Sequence, residues 1–482
     1  MFSVTSLGFL PFMALFVCLW YRVPQPSRWK LVLAANAVFC LSIDIGAFFA
    51  VALATAVVWQ AAQYAQPEQP SRRGWLALGL AAALLPLLVL KYSGMLVPGL
   101  RDLYKPFGLA YYSLQLAGYL LDVWHGRTAP TPSYARLWCY AGFFLSLTQG
   151  PFNRYNTLMP QLEAAPKTFE TQRLVSGLQR SAWGYFKKFA IADRAAIVVS
   201  AAFADPASFD RSQLIFATVM YSFQLYADFS GYTDIVLGMG EILGLHLPEN
   251  FRQPFFSASV KELWARWHIS LSQWFRDYVY IPLGGNRVSV LRWCFNMFVV
   301  WLLSGLWHGA GWNFALWGLY FGVFLSAEKL IEKKWKERSF KIADISANND
   351  SNGGNRKNMF LICARNSIEH GYVLLVVLFS FVIFRVESVR EIKEQLLGLA
   401  GSYGNAMTPM AAYETKSYLI LLLIACAGAT PFPAMWVQRL KNTNMWKKSG
   451  WLLQSCYILT GLVLATAFLL GSSVHPFLYF RF

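Results

Sequence analysis

Residues Trp293–Ala327 read WCFNMFVVWLLSGLWHGAGWNFALWGLYFGVFLSA, 35 residues without Lys, Arg, Asp or Glu. A helix crossing a bilayer core of about 30 Å needs roughly 17–25 mostly apolar residues. The run is therefore too long for one pass and short for two. It predicts two short helices that meet at a break around Gly305, Gly309 and Gly311. His308 lies 15 residues into the run, within Trp307–Ala310 (WHGA). Non-helical backbone at membrane depth is tolerated only where it is buried in protein or lines a water-filled cavity. An ionisable side chain at such a place marks a functional site by default. Imidazole accepts a proton near neutral pH, which suits a general base. The competing reading is a structural histidine bonded across helices.

The same pattern extends outward from this run. Met1–Tyr21, Leu31–Ile43, Ile45–Pro67, Trp75–Leu90, Ser417–Gln438 and Gly450–Phe480 carry no Lys, Arg, Asp or Glu, with only Asp44 between the second and third. Across the 482 residues 56% are hydrophobic and 14% charged, against about 25% charged in ordinary soluble domains. Backbone groups in lipid must be bonded internally, so these runs read as helices, and the alternation of barrel strands is absent. The expected fold is all-α, a multi-pass integral membrane protein with about nine to twelve passes. Met1–Tyr21 lacks the basic leader and small-residue cleavage site of a secretory signal, so a retained first helix is expected.

The net charge of +17 sits between apolar runs, as in membrane-flanking loops. No nucleic-acid motif accompanies it, so no nucleic-acid partner is expected. Glu328–Glu369 holds nine Lys or Arg and six Asp or Glu, which makes it a polar loop with a cytoplasmic bias. Residues 1–482 are read as one membrane domain carrying that loop. The seven cysteines are scattered without a CxxC pair and read as reduced core residues. No P-loop, GxSxG elbow, HExxH or dinucleotide fingerprint is present, and no metal site is expected.

Four further stretches carry candidate chemistry. Val260–Tyr280 reads as an interfacial amphipathic helix, with Arg266, Ser270, Gln273 and Asp277 on a polar stripe opposite Trp264, His268, Leu271 and Phe275. His268 is either a buried histidine bonded to a carbonyl or a functional group among aromatics. Pro282–Arg287 (PLGGNR) is either a turn ending that helix or a loop offering Asn286 and Arg287 to a phosphate. In Gln224–Asp234 (QLYADFSGYTD), Asp228 and Asp234 are either structural carboxylates bonded to hydroxyls, indoles or arginines of the central block or substrate-positioning groups. Two acids alone do not make a metal site. Gly150–Arg154 (GPFNR) places Arg154 at a headgroup, an anionic cofactor or a structural carboxylate.

Gly150–Arg154, Gln224–Asp234, Glu249–Arg287 and Leu303–Phe314 (LSGLWHGAGWNF) together closely resemble the membrane-bound O-acyltransferase family, in its bacterial polysaccharide O-acetyltransferase branch. The resemblance implies helices around a central funnel, with interfacial and re-entrant elements and a reaction centre inside the bilayer. The family's intramembrane histidine falls on His308 and its second histidine on His268. Trp307, Asp228, Arg154, Asn286 and Arg287 become candidate substrate-binding residues. The resemblance also implies acetyl-CoA as a cytoplasmic donor, an extracytoplasmic polysaccharide as final acceptor, and a secreted or membrane-anchored SGNH-hydrolase-like acetyltransferase as partner. The bacterial cytoplasmic membrane is the implied location. The final Pro476–Phe482 (PFLYFRF) is similar to the aromatic tail of the accessory peptide in the teichoic acid D-alanylation system. Tyr479 then has two readings, a third catalytic residue that relays the acyl group or an interfacial anchor. Three rival functions stand beside the acetyltransferase: a teichoic-acid-type D-alanyl transferase, a transporter, and a non-catalytic scaffold for polymer export.

Overall fold

A computed structural model describes residues 4–100, 103–166, 168–346, 355–404 and 409–471. In chain order the helices are α1 (Phe9–Arg22), α2 (Arg28–Ile43), α3 (Ile45–Tyr64), α4 (Arg72–Leu96), α5 (Leu109–Trp124), α6 (Tyr134–Ala141) and α7 (Tyr155–Ala164). Then come α8 (Thr171–Phe186), α9 (Asp193–Ala204), α10 (Arg211–Ile242), α11 (Val260–Arg266), α12 (Ile269–Phe275), α13 (Val290–His308) and α14 (Trp312–Ser346). The chain continues through α15 (Asn355–Arg385), α16 (Val389–Ala400), α17 (Pro409–Gly428), α18 (Phe432–Lys441) and α19 (Asn444–Gly471). Among the described residues, extended pairing is limited to the single bridge Phe251–Trp267.

Among the described residues, six helices are long and apolar enough to cross a bilayer: α3, α4, α13, the first part of α14, the second part of α15, and α19. A seventh span arises if α17 and α18, bent by 68° around Pro431, are counted as one. This is fewer than the nine to twelve passes expected. The 14-residue α1 and the 16-residue α2 and α5 are too short to qualify, and α10 carries Asp228 and Asp234 in its middle. Large apolar side chains on the spans face outward, as Leu53 of α3 does at 70% exposure. In water such a surface would be a liability; against lipid it is the expected finish.

The helices cluster into two compact units. The first comprises Met1–Ala196, Gln224–Asn250 and Trp436–Phe482; the second comprises Ile197–Phe223 and Phe251–Met435. In the first, α3 packs against α4, α5 and α6. Helix α8 lies directly on the second half of α10 because glycines face each other. A Cβ on Gly177 would sit 2.5 Å from the carbonyl of Gly238, and one on Gly184 would sit 2.5 Å from that of Gly231. Between α6 and α7 the chain runs without helix through 142–154, and 142–153 are buried. Buried backbone must find partners, and side chains supply them. Asn36 accepts from Phe144 N–H at 2.9 Å and donates to the Cys139 carbonyl at 2.9 Å. Tyr140 donates to the Asn153 carbonyl at 2.9 Å.

In the second unit α13 and α14 form a tight hairpin. Its glycines act in two ways. The break expected near His308 is present at 309–311. Gly305, however, is inside α13, where a Cβ would meet the Phe314 carbonyl at 2.2 Å. Gly318 is its counterpart on α14, where a Cβ would meet the Trp301 carbonyl at 2.2 Å. The two helices are not short, because each continues past the charge-free run. α13 starts at Val290, and α14 extends to Ser346 through residues expected to be loop.

Candidate active site

His308 is the last residue of α13, held where the hairpin turns. Its side chain is 6% exposed. Three aromatic rings meet the imidazole edge-on: Trp307 at 4.9 Å between centroids, Trp317 of α14 at 5.1 Å, and Phe384 of α15 at 5.3 Å. Asn313 in the first turn of α14 donates to the Phe384 carbonyl at 3.3 Å, fixing the end of α15 against the hairpin. Gly309 is required here, since a Cβ would overlap the Phe314 ring at 1.9 Å.

His268 reaches the same neighbourhood by a different route. The amphipathic helix expected over Val260–Tyr280 is broken: α11 ends at Arg266, α12 begins at Ile269, and Arg276–Tyr280 forms a π turn. The break has a tertiary cause. Phe251 pairs with Trp267, and Arg252 N–H donates to the Arg266 carbonyl at 2.9 Å, which ends α11 at Arg266 and takes Trp267 out of the helix. His268 then turns into α12 with φ 45° and ψ 51°. Left-handed backbone is uncommon for a side chain with a Cβ, and such conformations concentrate at functional sites. The His268 side chain is 1% exposed, and burial pushes its pKa down to about 3. It is therefore a neutral imidazole that donates or accepts hydrogen bonds without carrying charge. Trp307 contacts both histidines, 5.9 Å from the His268 ring centroid and 4.9 Å from that of His308.

The PLGGNR segment forms a tight turn, with Gly284 and Gly285 at φ 107° and 54°. Asn286 is engaged there: its Oδ1 accepts from Tyr280 Oη at 2.5 Å and from Lys329 Nζ at 2.8 Å. Trp293 Nε1 donates to the same Tyr280 hydroxyl at 2.7 Å. The Arg287 side chain is exposed.

Asp228 and Arg154 belong to the first unit. Asp228 accepts from Lys188 at 2.7 Å, and Lys188 also reaches Asp193 at 2.9 Å. Asp234 pairs with Lys187 at 2.6 Å and Arg180 at 3.1 Å, and Arg180 grips both oxygens of Glu249 at 2.7 and 2.6 Å. Burial alone would depress both lysines; Asp234, and Asp228 with Asp193, outweigh it and raise them. Charged pairing of this kind accounts for both carboxylates without a substrate. Arg154 is half-buried at the end of the irregular 142–154 segment, just before α7. Tyr479 lies outside the described residues. Among the described residues no three His, Cys, Asp or Glu side chains are grouped to hold a metal ion.

A histidine caged at the turn of an apolar hairpin and sharing an indole contact with a second, neutral histidine is the arrangement that comparison with known proteins has to explain. Residues 94–348 match the sequence profile of MBOAT, the membrane-bound O-acyltransferase family. The chain belongs to this family. It is 32% identical to the probable alginate O-acetylase AlgI of Pseudomonas fluorescens over 400 residues, covering 82% of this chain and 74% of the relative. It is 28% identical to a peptidoglycan O-acetyltransferase of Helicobacter pylori, covering 85% and 83%. A teichoic acid D-alanyltransferase of Bacillus subtilis is 28% identical over 60% of this chain and 77% of its own length.

In this membrane-bound O-acyltransferase the Trp307 ring is in contact with both His308 and His268. Sequence reasoning did not single out Trp317, Phe384 or Asn313, which complete the surroundings of His308. Helical spacing after the turn was the available signal: Trp317 follows Asn313 by four residues, so the two share a face of α14. Phe384 carried no local signal, because only tertiary packing brings α15 to the hairpin. The lysines opposite Asp228 and Asp234 were also missed, although Lys187–Lys188 interrupts an apolar stretch.

Proposed function

We propose that this enzyme moves an acetyl group from acetyl-CoA on the cytoplasmic side to O-acetylate an extracytoplasmic polysaccharide. The burial of His308 at the turn of an apolar hairpin, with Trp307 shared by His268, carries the proposal. His308 removes the proton of an acceptor hydroxyl as its oxygen attacks the thioester carbonyl carbon. The carbonyl oxygen takes up the negative charge. The C–S bond then breaks, and the departing thiolate receives the proton from the His308 imidazolium. His268, being neutral, orients the donor or hydrogen-bonds the developing oxyanion without adding a fixed charge. Aromatic walls around His308 exclude water and limit thioester hydrolysis.

The acetyl group passes to a secreted or membrane-anchored SGNH-hydrolase-like partner, with Tyr479 as the relay between the two. The bacterial cytoplasmic membrane is the location that gives both substrates access. The basic, exposed Arg287 at the end of the PLGGNR turn suits the anionic part of the donor, and Asp228 contributes by pairing with Lys188 within the first unit. The test uses inverted membrane vesicles supplied with acetyl-labelled acetyl-CoA. Label in the polymer fraction is the expected result; its absence, with the enzyme present and folded, overturns the donor assignment.

A second reading is transfer of D-alanine, favoured by the similarity to the Bacillus subtilis D-alanyltransferase. It requires a carrier protein that presents the aminoacyl thioester. Label transfer from a D-alanyl carrier protein, but not from acetyl-CoA, would select it.

A further inference from the structure

The aromatic cage holds a hydrogen-bond donor that the mechanism above leaves unused. Trp317 is 2% exposed, and its Nε1 is buried without a partner among the described residues. Three other indoles are paired: Trp20 donates to the Leu243 carbonyl at 3.1 Å, Trp59 to that of Thr131 at 3.0 Å, and Trp293 to Tyr280 at 2.7 Å. A buried donor left unmade costs about 1–3 kcal/mol, so one that persists calls for an explanation. Trp138 in the first unit and Trp264 on α11 share the feature. What distinguishes Trp317 is its place, since its ring meets the His308 imidazole at 87° and 5.1 Å. Trp264 touches Trp317, Trp301 and Phe321 instead.

We propose that Trp317 is a catalytic residue whose indole N–H donates to the thioester carbonyl oxygen as that oxygen becomes an oxyanion. This rests on the acetyl-transfer reading. In the attack step the acceptor oxygen bonds to the carbonyl carbon, its proton goes to His308, and the carbonyl π electrons move onto the oxygen facing Trp317. In the collapse step they return, the C–S bond breaks, and the thiolate takes the proton from His308. The indole keeps its hydrogen throughout. An N–H preorganised in a dry site stabilises charge that exists only in the transition state, so it acts on kcat rather than on binding.

The test replaces Trp317 with 3-benzothienyl-alanine, which keeps the bicyclic shape and puts sulfur in place of N–H. Trp317→Phe serves as a second variant should the first express poorly. Full-length protein in membrane vesicles is assayed for acetyl label passing from acetyl-CoA to polymer, with elution and thermal unfolding checked for each variant. His308→Ala and a Trp264 isostere run alongside. The expected result is a fall in kcat of about 10²-fold with KM within about twofold, while the Trp264 isostere stays near wild type. Full kcat in the folded Trp317 isostere, with His308→Ala inactive, overturns this proposal and leaves the acetyl-transfer reading standing. A change confined to KM, or an equal loss in the Trp264 isostere, also overturns it. Acetyl transfer that survives His308→Ala overturns both.

Discussion

At the residue scale, His268 makes a claim about pH. Its folded pKa of about 3 lies below the roughly 6.5 of an exposed histidine, because burial penalises the charged ring. Between those values the unfolded chain binds more protons than the folded one, so stability rises with pH across that window and levels off above it. Lowering the pH from 7.5 to 5 should therefore lower the thermal midpoint of the detergent-solubilised enzyme. His268→Asn, which tolerates the left-handed backbone and does not titrate, should show a shallower drop. Equal slopes for the two proteins would mean that His268 is not held neutral by burial. The histidines themselves were legible in the sequence, through one ionisable group in a charge-free run and another among aromatics. Trp307 stood beside His308 in the WHGA motif, but its contact with His268 was not legible. Trp317 and Phe384 were not legible as partners, because contact between α13, α14 and α15 is set by packing that no local spacing encodes.

At the element scale, the α13–α14 hairpin is the device that positions His308. Sequence reading located its turn but assigned Gly305 to the break, whereas Gly305 and Gly318 allow the two helix backbones to approach. Small residues perform this role in membranes, where close packing replaces the hydrophobic drive between helices. Gly318→Ala should destabilise the protein by about 1–3 kcal/mol and reduce acetyl transfer, because the added methyl meets the Trp301 backbone. Gly371→Ala, where a Cβ meets nothing within 4 Å, should behave as wild type. Thermal unfolding of both variants checks this, and equal tolerance would contradict the packing account. The broken helix at His268 was illegible for a complementary reason. Periodicity over Val260–Tyr280 is helical throughout, and only the distant Phe251 explains why Trp267 leaves the helix.

At the scale of the whole molecule, composition and charge-free runs established a helical membrane protein. Counting passes was less secure, because short helices and a charged α10 do not meet the length and polarity of a simple span. The ion pairs of the first unit show how such a helix is accommodated: Asp228 is matched by the buried Lys188, and the half-buried Asp234 by Lys187 and Arg180. The relay role proposed for Tyr479 belongs at this scale too, since it couples the membrane enzyme to an external partner. Tyr479→Phe keeps the ring and removes the nucleophile, so acetate on the polymer should fall to background. Wild-type acetate in that variant would leave the tail as an anchor.

The central claim is that His308 performs the acyl transfer. Its most direct test is the acetate content of purified polymer from cells carrying His308→Ala, with membrane levels of the protein matched to wild type. Loss of polymer acetate at equal protein is the predicted result, and unchanged acetate would contradict the account.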